Sequence, residues 1–161
     1  MRYKKDKSIL VSTWIISLLL WLLFVPREKF REAQVSFLFK HVITWLLGLL
    51  VVKFNLIEYP VRFYKRVNKT SFTFEYMVYP TLCALFNLYY PDRKNNFIKG
   101  LYYILHSSFI TVFEVYAVKY TKLIRYKNGW KWYWSFTTIM LTYYVSRLYH
   151  KWFFKEKLKT K

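Results

Sequence analysis

The sequence predicts an all-α fold, a polytopic transmembrane helical bundle of about five spans, forming a single integral membrane domain over residues 1–161. Three observations predict it. Apolar runs of about spanning length recur along the chain, basic residues gather at their ends, and aromatic rings mark the junctions. This arrangement reconciles a chain that is 55% hydrophobic and 24% aromatic with 27 Lys+Arg against 8 Asp+Glu, a formal charge of +19. The apolar content excludes disorder, and a single cysteine, Cys83, excludes an internal disulfide scaffold.

The first span is predicted over residues 9–25, an uncharged run behind a basic start that contains Arg2, Lys4, Lys5 and Lys7. At about 1.5 Å per residue such a run is near the lower limit for a hydrocarbon core about 30 Å thick. A signal peptide has a similar outline, but this run ends in Pro26-Arg27-Glu28 without a small-residue cleavage site, and further apolar segments follow. The second span, 33–52, holds Lys40 and His41 ahead of the uncharged stretch VITWLLGLLVV. The third, 71–90, carries Glu75 and Pro80, a proline expected to kink its helix. The fourth, 100–118, contains His106 and Glu114, and the fifth, 132–149, is uncharged as far as Arg147. Residues 150–161 alternate aromatic and basic residues and are expected to form an interfacial tail.

Five spans place the N-terminal segment, loop two and loop four at one face with 14 Lys+Arg. Loops one and three hold 6 at the other face, or 12 with the C-terminal segment. Positive-inside logic then favours a cytoplasmic N-terminus in a bacterial plasma membrane, with the basic C-terminal segment opposing it. A cleaved or flat first segment gives four spans instead. Trp130, Trp132 and Trp134 fall where loop four meets the fifth span, as interfacial anchors would.

Ionisable groups inside spans are costly and are candidates for function. Glu75 opens the third span and Glu114 closes the fourth, so chain parity puts both one turn inside the face that carries loops two and four. They are predicted to form a polar cluster with Arg62 and Arg125. The bland alternative pairs each acid with a loop cation and limits it to helix packing. Lys40 and Arg147 are expected near the opposite face, and Asn87 and Thr111 are expected to bond between helices.

His41, His106 and His150 are scattered, without the spacing of a metal site, so neither metal nor cofactor is predicted. There is no phosphate-binding glycine loop and no nucleophile elbow, so no catalytic residue is assigned. Cys83 beside Ala84 reads as a packing residue. Nucleic-acid binding is disfavoured because the cations sit at the ends of apolar runs rather than among strands or short helices.

The segments Tyr59-Pro-Val-Arg62, Phe74-Glu-Tyr-Met-Val-Tyr-Pro80, Glu114-Val-Tyr116 and Thr121-Lys-Leu-Ile-Arg-Tyr-Lys-Asn-Gly-Trp-Lys-Trp132 form the most distinctive pattern in the chain. In order and spacing it resembles an uncharacterised family of small multi-pass membrane proteins from spore-forming Gram-positive bacteria, over about residues 9–150. Two departures stand out: Glu75 occupies the position of an intramembrane Asp, and Val118 that of a second acid after Glu114. The resemblance implies topology and candidate residues, and no reaction.

The function expected from these features is non-enzymatic. A basic, cytoplasm-facing surface with two intramembrane acids would bind membrane lipids through anionic headgroups, or a protein partner. The alternative is an oligomeric small transporter or channel in which Glu75 and Glu114 couple ions or protons; it requires a cavity reaching the acids rather than a dry bundle. A lipid-headgroup enzyme would need the two carboxyls close together and open to the interface.

Overall fold

The computed structural model describes residues 2–64 and 66–155, with side chains from residue 4 onward. Five helices carry the chain back and forth between two ends. α1 (Arg2–Phe24) stops before Pro26, and a 3-10 turn at Arg27–Lys29 leads into α2 (Phe30–Lys53). The strand β1 (Ile57–Glu58) follows, then an irregular stretch, then a π turn at Phe74–Val78 that runs into α3 (Tyr79–Leu88). α4 (Asn96–Tyr120) is capped at its start by Asn95, whose side chain accepts from the Ile98 amide at 2.9 Å. β2 (Arg125–Tyr126) and α5 (Trp132–Phe153) complete the described chain.

Boundaries differ from the sequence reading in three places. α1 begins at Arg2, so the basic start is helical. α5 continues to Phe153, which makes residues 150–153 helix rather than tail; residues 156–161 lie outside the described residues. The third predicted span becomes a π turn and a short α-helix instead of one long kinked helix. Pro80 explains this, because it offers no amide to the Tyr76 carbonyl. The turn before it takes an i→i+5 register, in which the Tyr79 amide donates to the Phe74 carbonyl.

Among the described residues, three helices are long and apolar enough to cross a membrane: Lys4–Phe24, Arg27–Lys53 and Asn96–Tyr120. α3 is too short by itself, with ten residues, and is surrounded by the others, packing most extensively on α2. α5 has the length, 22 residues, but buries Ser135, Thr142, Ser146, Arg147 and His150. These features describe an inverted interior. Leu22, Leu23, Val112 and Phe113 face outward, whereas α2 buries Ala33, Ser36, Lys40 and Gly48. In lipid, apolar side chains gain nothing by turning inward, and small residues let backbones approach closely.

The two ends are built differently. At one, β1 and β2 pair antiparallel, Ile57 with Tyr126 and Glu58 with Arg125, joining loops two and four into a lid. Leu10 of α1 anchors it against Ile57, Tyr59, Val61, Leu123 and Ile124. At the other end the Tyr89 hydroxyl donates to the Phe24 carbonyl at 2.7 Å, and Asp92 pairs with Arg147 and Lys151 of α5.

Candidate functional site

Beneath the lid a cavity of about 100 Å³ lies between α2, the π turn, the end of α4 and the start of α5. Tyr59 and Trp130 reach it from the lid, and Lys40, Glu75 and Glu114 all line it. Each position follows from local chain geometry. Asn128 and Gly129 both take positive φ (46° and 79°), turning the chain after β2 so that the Trp130 indole donates to Ser135 Oγ at 2.9 Å. Gly48 leaves the space that Glu75 occupies; a Cβ at position 48 would overlap the Glu75 carboxyl.

The two acids are held in opposite ways. Glu114 accepts from Ser135 at 2.6 Å and Tyr126 at 2.8 Å on one oxygen, and from Tyr79 at 3.3 Å on the other. Glu75 is 2% exposed, and neither of its carboxyl oxygens has a hydrogen-bond partner. The Thr70 hydroxyl and the Ser71 amide lie near enough to influence that carboxyl without reaching hydrogen-bond geometry. Its backbone is tied down, since the Thr44 hydroxyl lies 2.9 Å from the Glu75 carbonyl.

Lys40 departs from its expected place. It lies about ten residues, or about 15 Å, inside α2, so it is near mid-depth rather than at the opposite face. Its ammonium donates to Thr142 Oγ1 at 2.5 Å and stands 4.4 Å from the Tyr143 ring centroid. Lys40 precedes Gly48 by about two helical turns, and helical side chains lean toward the N-terminus. The ammonium and the Glu75 carboxyl therefore stand at opposite ends of the cavity.

The predicted partners Arg62 and Arg125 are engaged elsewhere. Arg62 donates to the carbonyls of Tyr59 at 2.5 Å and Asn68 at 2.7 Å, holding loop two in shape. Arg125 and Lys127 pair with Glu58 at 3.6 and 2.8 Å across the lid. The Lys127 contact holds the Glu58 carboxyl below the usual carboxylate range. Trp130 faces the cavity and not the lipid interface, whereas Trp132 and Trp134 are exposed. Asn87 bridges α3 to α5 through Ser146 Oγ at 3.2 Å. His106 bonds the Tyr102 carbonyl and packs edge-on against Phe86; His41 packs edge-on against Tyr76. Arg147 spans the opposite end, with its guanidinium 4.3 Å from the Tyr90 ring and paired to Asp92.

Sequence reasoning missed Gly48, Thr44, Ser135, Thr142 and Tyr126 as parts of this site. A signal existed: Ser36, Lys40, Thr44 and Gly48 recur every four residues and so share one face of α2. Tyr126 carried none, since its place depends on the pairing of two loops far apart in sequence. Among the described residues no group of three or more His, Cys, Asp and Glu is placed to hold a metal ion. Comparison with family models, with curated proteins and with solved structures gives no match for this chain.

Proposed function

We propose that this protein binds and moves a proton or a small cation within a bacterial plasma membrane, with Glu75 as the binding group. The observation that carries the reading is a buried carboxyl without a hydrogen-bond partner at either oxygen, set against a cavity that Glu114 and Lys40 also line. An ionised carboxylate so placed costs several kcal/mol unless it takes up a proton or a cation. An ionisable group kept inside a membrane at that cost has a use. Glu114, held by three hydroxyls, is the fixed wall of the site, and Glu75 is the member free to change state. The segments that carry the family resemblance support this placement. Tyr59 and Trp130 cover the cavity, Glu75 and Glu114 line it, and Tyr126 holds Glu114.

Flux through proteoliposomes tests the reading. Under an imposed potential, wild-type vesicles should change internal pH or take up sodium, and E75Q should lower that flux by about tenfold or more. Vesicles that pass neither ion, or E75Q vesicles that match wild type, would sink it.

A separate observation favours a second reading at the lid surface. A pocket of about 190 Å³ is lined by Arg62, Lys69 and Lys127 beside Glu58. Three cations around a pocket of headgroup size fit an anionic lipid on the side richest in Lys and Arg, which positive-inside logic assigns to the cytoplasm. Vesicles containing phosphatidylglycerol should protect the protein against thermal unfolding more than neutral vesicles do. The difference should shrink in Lys69→Gln; equal protection by both vesicle types excludes the site.

A further inference from the structure

Buried polar groups do not end at the cavity. Ser135, Thr142, Ser146 and His150 follow one another at spacings of seven, four and four residues, which places them on one face of α5. All four are buried, and from Ser135 to His150 the face covers about 22 Å of helix. Each hydroxyl on it meets a polar group from another helix. Ser135 bonds Glu114 at 2.6 Å, Thr142 bonds Lys40 at 2.5 Å, and Ser146 meets the Cys83 thiol at 3.0 Å and the Asn87 amide at 3.2 Å. At the far end the Arg147 guanidinium lies 3.4 Å from the Asn87 carbonyl and 3.4 Å from His150 Nδ1, and it pairs with Asp92.

Helix packing does not require this much polarity. Alanine at positions 142 and 146 would allow the same close approach without hydroxyls to satisfy. Several groups along the face also keep an unused atom: Asn87 Oδ1, the Tyr143 hydroxyl and His150 Nε2 are buried without partners. Such atoms are costly where no water reaches them.

We propose that this face of α5 is a proton path joining the cavity to the opposite side of the membrane, which makes the proton the ion moved. The inference rests on the reading of the cavity as an ion site and names its ion. Beyond Thr142 the groups lie at hydrogen-bond distance across the α3–α5 contact, too close for a hydrated cation unless the helices part. A proton needs no such opening. It passes when one hydroxyl, thiol or amine releases its hydrogen to a neighbour as it accepts another, so each group ends with the protons it began with. Lys40 relays between the cavity and Thr142, facing Tyr143 of α5, and its ammonium is close enough to Cys83 for the two to interact electrostatically. His150, one turn beyond Ser146 on the same face, takes the proton at the exit, where Arg147, Asp92 and Lys151 are the charged groups packed around it. The guanidinium keeps its protons and only orients the ring.

The test uses full-length protein in proteoliposomes, with a pH-sensitive dye inside and sodium uptake followed in parallel. Wild type should carry protons and no sodium. Ser146→Ala and the isosteric Thr142→Val should each lower proton flux by about tenfold, while Thr142→Ser restores it and the lipid-facing Val145→Ala changes nothing. Should Ser146→Ala fail to fold, as judged by circular dichroism, the Thr142→Val and Thr142→Ser pair decides. Flux that E75Q stops but Ser146→Ala and Thr142→Val leave intact overturns the path and keeps the cavity. Sodium uptake without proton flux does the same. A wild type that moves neither ion overturns both.

Discussion

Glu75 and Glu114 are alike in sequence terms: each is an acid one turn inside an apolar helix, at the same end of the bundle and on the same cavity. Their surroundings differ. Tyr126, Ser135 and Tyr79 converge on Glu114 from loop four, α5 and α3, so its site is a completed hydrogen-bond network. Glu75 meets the bare backbone of Gly48 and has no donor at either oxygen. A satisfied buried acid stabilises the fold that surrounds it, and an unsatisfied one is tolerated at a cost. The difference separates a carboxyl held by three donors from one held by none, although both occupy equivalent places in the chain.

The largest expected effect comes from filling the space that Glu75 uses. Gly48→Val puts atoms where the Glu75 carboxyl lies, and should destabilise by about 3 kcal/mol, read as a lower midpoint of thermal unfolding in detergent. Recovery in the double variant Gly48→Val/Glu75→Ala would show that the clash is with that carboxyl. The acids themselves come next. Glu114→Leu strands three hydroxyls and should cost about 2 kcal/mol or more, whereas Glu75→Leu removes an unpartnered group and should raise the midpoint. Equal losses for the two would erase the comparison. Tyr126→Phe takes one donor from Glu114 and should cost about 1 kcal/mol.

The smallest effect lies in the lid. Glu58 keeps its charge more readily in the folded chain than in the unfolded one, owing first to its contact with Lys127. Its folded value is depressed, so its contribution is present above the unfolded pKa of about 4.3 and disappears as pH falls through the folded value. Glu58→Gln should change stability at neutral pH by less than about 1 kcal/mol, as for other exposed pairs. It should also flatten the acid side of the stability profile, measured by unfolding between about pH 3 and pH 6.

Much of the fold was legible because a membrane demands long apolar helices and cations at their ends. Parity placed the start of α1, loop two and loop four at one end, and the strand pair with its Leu10 anchor lies at that end. The site was legible only in part. Arg62 was expected beside the acids from its charge and loop, yet its donors serve the backbone carbonyls of Tyr59 and Asn68. Trp130 was expected in the lipid headgroups from its type and position. The left-handed pair Asn128-Gly129 turns it onto Ser135 instead.

What the sequence by itself determined is the helical character of the chain and the end at which each acid sits, since these follow from apolarity and parity. Only the tertiary structure decided that Lys40 shares a cavity with both acids, that Gly48 accommodates Glu75, and that Tyr126 and Ser135 hold Glu114. The reason is physical. In lipid, apolarity does not tell the inside of a bundle from the outside, so the partner of a buried polar group is settled by which small residues let which helices meet.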